Sequence, residues 1–273
     1  MITPPFIMKT SRRGFTLVEL LVAMGILVLI FGLLLQISNG VLMATHASQH
    51  KLEARAQARM ALDALAQDML CRINRFGGAL LVNTTGAPRL ALLVESRGYE
   101  ADSRFVAVNY EHENGEIRQS FNTATWSTAS LTSALVTHAN TTTLSRGVLR
   151  FELMLTLSDG RTVPVREAGE WLSDTVDGKA LPSGYHALNL DDASRTRVRA
   201  ITVAIAVVSE HGYQQLVSGE RLEEAADALP LPTLSHPYAL ELWQEALDTG
   251  ALSSLPELAA RSIQLAGMTY PLN

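Results

Sequence analysis

The sequence predicts an α+β fold in which a long N-terminal helix packs on an antiparallel β-sheet and a partly helical C-terminal tail follows. Three observations predict it. A helical pattern begins in an apolar run and meets no proline before Pro88, segments between positions 89 and 208 alternate between apolar and polar residues, and short helical segments separated by prolines end the chain. With 273 residues, 47% of them hydrophobic and 18% charged, the chain is able to build a packed core.

The apolar run over residues 15–35 is long enough to cross a bilayer once. As a helix it reaches roughly 31 Å, which matches a hydrocarbon core of about 30 Å. Lys9, Arg12 and Arg13 precede the run, and the next basic residue is Lys51. The positive-inside rule therefore keeps the N-terminus in the cytoplasm and places the bulk of the chain on the other side of the membrane.

Two residues distinguish this run from an ordinary secretory signal. Gly14 precedes the run, so cleavage there leaves the anchor in the product, and Glu19 places a carboxylate inside the run. An unpaired charge in lipid costs on the order of 2.5 to 3.5 kcal/mol. If the chain is cut after Gly14, the new α-amine of Phe15 is a cation, and its attraction to the carboxylate at about 4 Å is worth roughly 4 kcal/mol at an effective dielectric near 20. A pair within one chain and a pair between neighbouring subunits both fit, and the second would make Glu19 an assembly signal.

Residues 12–21, with the sequence RRGFTLVELL, resemble the class III signal of type IV pilins and type II secretion pseudopilins. In that family a prepilin peptidase in the inner membrane cuts after the glycine and methylates the new N-terminal phenylalanine. The glutamate at the fifth mature position guides docking into the filament. The resemblance implies these roles for Gly14, Phe15 and Glu19, and the alternative is a plain signal anchor with an accidental glutamate.

The composition and the resemblance divide the chain into five parts. They are a leader peptide over 1–14, the transmembrane half of the helix over 15–35, its periplasmic half over 36–76, an antiparallel pilin-like sheet domain over 77–208, and a C-terminal extension with short helices over 209–273. In the periplasmic half an apolar stripe at helical spacing predicts docking on the sheet; it consists of Leu62, Leu65, Ala66, Met69 and Ile73. Gly77-Gly78 is expected to end the helix.

The alternating segments predict individual strands. Asn114-Gly115 between two such segments predicts a hairpin turn. Residues 149–157 predict a strand with one buried face, and residues 198–208 predict a central strand whose small-residue face lies under the long helix. The Ser- and Thr-rich segment 120–145 is expected to be a surface loop.

The tail contains helix signals of its own. Residues 219–229 and 237–248 predict two short helices, the second ended by Gly250. Ser254 and Glu257 have the spacing of a capping box around Pro256 and predict a further helix start.

The order of the strands carries a second resemblance. Residues 105–121, 144–161 and 197–210 resemble the core strands of J-type minor pseudopilins. Together with the tail segments LELW and MTYPLN, they are more similar still to the pilin-like family called Verru_Chthon cassette protein C.

These resemblances imply a non-enzymatic minor subunit of a type II secretion pseudopilus or a type IV pilus-like filament. The implied partners are the prepilin peptidase, other pilin or pseudopilin subunits, and the inner-membrane platform and ATPase of the assembly system. The implied location is the inner membrane, with one membrane span, a cytoplasmic N-terminus and a periplasmic globular domain, or a filament that reaches the cell surface.

Some pseudopilins bind structural calcium in loops near the end of the sheet, and hard cations need several oxygen ligands. The candidates are Asp174, Asp177, Asp191 and Asp192. They do not form an EF-hand pattern, and turn residues or helix caps are the alternative reading. No other cofactor is predicted.

Other patterns favour no enzyme class. Ser48 and Lys51 have the spacing of penicillin-recognising enzymes without the companion motifs, and His46 and His50 lack further ligands at metal-binding spacing. The single cysteine, Cys71, is expected to be a packed side chain.

Charge and aromatic residues bear on the remaining alternatives. With 22 basic against 27 acidic residues the chain has no general attraction for phosphate backbones, so no nucleic-acid partner is expected. The main alternative function is a membrane-anchored extracytoplasmic ligand-binding or enzymatic domain that uses a prepilin-type anchor. A third is a surface pilin that binds a host or DNA partner, which exposed Trp126 and Trp171 beside arginines would favour.

Overall fold

The computed structural model describes residues 16–73, 80–83, 88–95, 105–124, 139–176, 179–181, 184–188 and 198–272. The helices are α1 (Leu17–Leu70), α2 (Glu210–Ser218), α3 (Leu222–Asp227), α4 (Ala239–Asp248) and α5 (Glu257–Ser262). The strands are β1 (Leu80–Asn83), β2 (Arg89–Glu95), β3 (Phe105–Glu113), β4 (Glu116–Ala124), β5 (Thr141–Arg146), β6 (Val148–Leu157), β7 (Thr162–Pro164), β8 (Thr175–Val176), β9 (Lys179–Ala180), β10 (Tyr185–Ala187), β11 (Val198–Val207) and β12 (Gln264–Pro271). The predicted α+β class is confirmed.

Two compact units make up the chain, Met1–His46 and Ala47–Asn273, and α1 contributes to both. In the second unit the strands form antiparallel sheets. The larger sheet has the order β10-β1-β2-β3-β4-β5, the smaller one has the order β12-β11-β6-β7, and β8 pairs with β9. The main core contains side chains from both larger sheets and from the part of α1 that lies in this unit.

Small residues let α1 approach the strands of the second unit. Ala54, Ala58 and Ala61 are buried one helical turn apart, and Leu62 and Leu65 extend the same stripe. They share the main core with the large side chains of β6 and β11. The predicted docking stripe is therefore confirmed for Leu62, Leu65 and Met69, and Ala66 packs against it. The prediction is wrong for Ile73, which follows the end of α1 and packs against a separate cluster that contains Leu93.

Two local turns set the path of the chain between the sheets. Asn114 and Gly115 have φ of 50° and 75°, and they join β3 to β4 as the predicted hairpin. Gly147, with φ of 71°, lies between the last strand of the larger sheet and the first strand of the smaller one. A Cβ at Gly147 would lie 2.5 Å from the carbonyl oxygen of Val208, so both the conformation and the space require glycine.

Strands β6 and β11 are covered on both faces, and the way in which they are covered corrects two predictions. Residues 149–157 were expected to have one buried face, but the second face is buried under the C-terminal helices, and a register shift near Ala206 places Leu149 on that second face. The small-residue face of β11 was expected under α1, yet Ala204 and Ala206 pack in the core that contains Trp243 of α4. Side-chain volume explains which element covers which face of β11. The alanines of α1 pack on the face of β11 that carries Ile and Val, whereas the alanine face of β11 leaves room for the indole of Trp243.

Buried polar contacts also hold α1 in place. The hydroxyl of Tyr110 donates to Asp68 Oδ2 at 2.5 Å, and Gln119 Nε2 donates to the same oxygen at 2.9 Å. The hydroxyl of Tyr270 donates to the carbonyl of Leu62 at 2.9 Å, and burial raises the pKa of Tyr270 well above its usual value. A residue of the last strand is thus tied directly to the helix.

Helix α1 ends at Leu70, earlier than the expected end at Gly77-Gly78, which lies outside the described residues. The reason is pairing with β2: Arg72 forms a β-bridge with Val94, and the Ile73 N–H donates to the Leu93 carbonyl at 2.9 Å. The five predicted domain boundaries stay predictions.

Part of the segment expected to be a Ser- and Thr-rich loop is strand. Over 120–145, β4 continues to Ala124 and β5 begins at Thr141, while residues 125–138 lie outside the described ones. Threonine is polar but β-branched, so Thr141, Thr142 and Thr143 pair with β4 at the sheet edge.

The tail contributes more to the fold than the sequence indicated. The predicted helices correspond to α3 and α4, but α2 and β12 were not predicted, and β12 pairs with β11 along its length. The expected capping box at α5 is wrong. Pro256 occupies the N-cap position without a side-chain hydrogen bond, and the Ser254 hydroxyl instead donates to Glu224 Oε1 at 2.9 Å.

An ion pair lies under the C-terminal helices. Glu152 of β6 is buried and receives two hydrogen bonds from Arg166, at 3.2 and 3.1 Å. Burial raises the pKa of Glu152, and the guanidinium opposes that effect. The neighbouring Arg150 donates from Nε to the carbonyls of Ala226 and Leu229, at 2.8 and 3.1 Å, and so anchors the end of α3 to the sheet.

His112 connects the two larger sheets and makes folding depend on pH. Its Nε2–H donates to the Val148 carbonyl at 2.8 Å, and burial is the main cause that lowers its pKa below the ordinary value near 6.5. As pH falls below that value the unfolded chain takes up a proton that the folded chain resists, so the free energy of unfolding decreases until the folded pKa is passed.

We expect His112→Gln, which keeps a donor for Val148, to flatten this dependence between about pH 7 and about pH 5. The measurement is the urea midpoint of the full chain in detergent micelles across that range. His236→Gln, at an exposed position, is the control and should follow the wild type. An unchanged pH dependence in His112→Gln would contradict the assignment.

Candidate functional site

The start of α1 is organised by Thr16 and Glu19. The backbone N–H and the hydroxyl of Thr16 both donate to Glu19 Oε2 at 3.0 Å, and the Glu19 N–H donates to Thr16 Oγ1 at 3.3 Å. This reciprocal arrangement is a capping box, which satisfies donors that the first helical turn leaves without intrahelical partners. Because Thr16 is the N-cap, the helix begins at Leu17.

The predicted site residues are therefore described only in part. Glu19 lies in the first turn of α1. Gly14 and Phe15 lie outside the described residues, so their predicted roles in processing stay predictions. Glu19 was expected to pair with an amine, and Thr16 was not predicted to bond to it, although the T-x-x-E spacing before an apolar run is itself the signature of a capping box.

The helix that follows Glu19 is apolar on every side. Its leucine, isoleucine, valine, methionine and phenylalanine side chains between positions 17 and 43 are all exposed. By length and composition α1 is able to cross a membrane. Its backbone bonds are made within the helix, which is what a lipid environment requires.

One of the four calcium candidates, Asp174, lies in the part of the chain that is described. Asp174 Oδ1 lies 2.6 Å from His186 Nδ1 and its side chain is largely exposed. Asp177, Asp191 and Asp192 lie outside the described residues. Among the residues that are described, no group of three or more His, Cys, Asp or Glu side chains has a geometry that could hold a metal ion. Structural calcium stays a prediction.

The other residues considered as catalytic or metal-binding candidates lie on the surface or pack against neighbouring residues. Ser48 and Lys51 are exposed on α1, and the His50 ring stacks on His211 of α2 with centroids 5.8 Å apart. Cys71 is half-buried and packs against the main core, as expected.

Of the two tryptophans that would favour a host or DNA partner, Trp171 is described. This indole packs partly against the main core, and the Arg161 guanidinium lies 5.9 Å from the ring centroid. Trp126 lies outside the described residues.

Comparison with known proteins identifies the N-terminal segment. Residues 9–35 match the family described as the prokaryotic N-terminal methylation motif. No curated protein matches the chain. Among solved structures the chain is similar to a type IV-like pilin from Thermus thermophilus, with 14% sequence identity over 80% of this chain and 94% of that chain and a TM-score of 0.39.

The predicted prepilin-type signal is thus confirmed over residues 9–35. The motif precedes and includes the first part of α1, in a chain that also contains antiparallel sheets. The motif implies processing by a prepilin peptidase and assembly with other pilin subunits. The narrower resemblance to Verru_Chthon cassette protein C stays a prediction.

The capping box makes a testable contribution to the start of α1. We expect Thr16→Val, which removes the hydroxyl at nearly constant volume, to weaken the first turn by about 1 kcal/mol and to speed its amide hydrogen exchange about fivefold. Thr16→Ser keeps the hydroxyl and should exchange like the wild type. The measurement is hydrogen exchange by NMR on the chain in micelles, and equal protection in the Val and Ser variants would show that the cap contributes nothing.

Proposed function

We propose that this protein is a non-enzymatic minor pilin or pseudopilin subunit of a type IV pilus-like filament or a type II secretion pseudopilus. The observation that carries the proposal is the methylation motif over residues 9–35, with Glu19 in the first turn of a helix that is apolar on all sides. Prepilin peptidase cuts after Gly14 and methylates Phe15, as the resemblance implies. The function is assembly, and no catalytic or cofactor-dependent step is part of it.

Processing changes the electrostatics around Glu19. Before cleavage the nearest cations in sequence are Arg12 and Arg13 of the leader, and cleavage removes both while creating an α-amine on Phe15. The carboxylate then has a cationic partner whose attraction offsets the cost of a charge in lipid. A secondary amine produced by one methylation stays protonated at neutral pH and keeps two of its three N–H donors, so the modified terminus is still able to make this pair.

Glu19 has the capacity to cap its own helix and to bind an amine of a neighbouring subunit. Both donors of Thr16 bond to Oε2. An ionised carboxylate has about four lone-pair sites on its two oxygens, so a further ammonium group can be accepted. The cap orients the carboxylate toward the start of the helix, where the amine of an adjacent chain at a similar depth would be found.

The apolar helix supplies the rest of the association. Exchange of lipid for neighbouring helices brings little hydrophobic gain, because lipid tails and leucine side chains are equally apolar. Packing between helices therefore provides the attraction, the Glu19 pair sets their relative position, and the globular parts provide specificity. The basic leader fixes the orientation, with a cytoplasmic N-terminus and a periplasmic globular part, and an inner-membrane platform and ATPase drive assembly.

Intact mass spectrometry of the protein purified from its native host tests processing. The expected product begins at Phe15, lacks residues 1–14 and carries one additional methyl group. A Gly14→Asp control adds bulk and charge at the cleaved bond and should keep the leader. A native product that retains Met1 through Arg13 would overturn the proposal.

Variants at Glu19 separate charge from helix capping. Glu19→Gln keeps an acceptor for Thr16 but removes the charge, and we expect it to be processed like the wild type and to be absent from sheared filaments or from cross-linked pseudopilus fractions. Glu19→Asp keeps the charge on a shorter side chain and should be incorporated in part. Normal incorporation of Glu19→Gln, measured by immunoblot against the membrane pool, would show that the charge has no role in assembly.

A further inference from the structure

A surface turn in the C-terminal part of the chain is both apolar and free of charge. Residues 228–240 contain no Asp, Glu, Lys or Arg. Within this segment Leu231, Leu234 and Tyr238 are exposed by 39%, 55% and 51%. Single exposed apolar residues are common on protein surfaces, but three on one short segment form a feature that neither the core nor the proposed filament helix accounts for.

The tip of this turn is held rigidly. The Thr233 N–H donates to the His236 carbonyl and the His236 N–H donates to the Thr233 carbonyl, both at 3.1 Å, which places Leu234 and Ser235 at the apex. The Leu234 N–H donates to Glu167 Oε2 at 2.7 Å, so the apex is also fixed to the segment after β7. The exposed leucine is therefore presented on an ordered backbone.

The N-terminal end of the turn is held by two further hydrogen bonds. The indole N–H of Trp243, which is fully buried, donates to the Pro230 carbonyl at 2.9 Å. At the preceding residue, Arg150 donates to the Leu229 carbonyl. Prolines at positions 230, 232 and 237 restrict the backbone further. Little conformational entropy of the backbone is left to lose when a partner binds, and apolar side chains on such a preorganised backbone are suited to anchor an interface.

The charges that flank the turn indicate the chemistry of the partner. Glu167, which bonds to the apex, and Glu241, which follows the uncharged segment, are acidic and exposed, whereas Asp227 before the segment is paired with Arg150 at 3.1 Å. Loops that insert into membranes combine apolar residues with Lys or Arg, and an acidic rim is repelled by anionic lipids. A protein surface with an apolar pocket rimmed by basic residues is complementary to this arrangement.

We infer that residues 230–238 are a protein-binding turn that inserts Leu234, flanked by Leu231 and Tyr238, into an apolar pocket rimmed by Lys or Arg on a partner protein. This interface goes beyond the proposed function, because it involves neither the N-terminal motif nor α1. Its failure would leave the role of Glu19 untouched, and the reverse also holds.

Photo-cross-linking of the full chain in the membranes of its native host tests the inference. A benzoylphenylalanine residue replaces Leu234 in one variant and Val217 in the control, which is another exposed apolar residue, on α2. We expect a protein adduct from position 234 and not from position 217. Peptide mapping of the adduct should place the cross-link in an apolar segment flanked by Lys or Arg.

Charge variants of Ser235, the exposed residue beside the anchor, make the test specific. With the cross-linker at position 234, Ser235→Lys should lower the adduct yield about tenfold, because it faces a basic rim, while Ser235→Glu should keep or raise the yield. Equal effects of the two substitutions would overturn the inference. So would an adduct with lipid, an adduct with an acidic peptide, or equal yields from positions 234 and 217.

Discussion

Burial of strands β6 and β11 on both faces is the constraint on which the rest of the globular unit depends. One face lies in the core that contains the alanine stripe of α1, and the other lies under the C-terminal helices around Trp243. Close packing on two sides leaves side-chain volume as the variable that decides which element covers which face. The C-terminal segment is for this reason a structural layer of the domain, and its last strand extends the same sheet.

The N-terminal part of the chain follows different physics. Between positions 17 and 43 the apolar side chains of α1 are exposed, and the only polar anchor described at the start of the helix is the pair of Thr16 and Glu19. A helix of this kind satisfies its own backbone and gains little from burial against other apolar groups in lipid. A single carboxylate can then have a large influence on association, because few other directional interactions compete with it.

Features that depend on residues close in sequence were predicted correctly, whereas features that depend on pairing between distant segments were not. The hairpin at Asn114-Gly115 depends on two residues that accept positive φ, and it was predicted correctly. The apolar stripe of α1 was also predicted, since it depends only on helical spacing. The edge strand at Thr141–Arg146 and the final strand at Gln264–Pro271 were missed, because their residues become strand by pairing with distant partners. The early end of α1 at Leu70 has the same cause, since Arg72 pairs with Val94 of β2. The capping box expected at Ser254 does not form for a similar reason. The Ser254 hydroxyl donates its hydrogen bond to Glu224, which is 30 residues away in the sequence.

The sequence alone determined the prepilin-type signal, the apolar helix and the α+β class, because these depend on the identity and spacing of residues that are close along the chain. The tertiary structure decided how the two faces of β11 are assigned, that the tail belongs to the core, and that an uncharged turn is pinned by Glu167 and Trp243. These features depend on volumes and hydrogen-bond partners that are far apart in sequence. Local pattern cannot specify them, because many packings satisfy the same alternation and only one of them fills the space and pairs the buried polar groups.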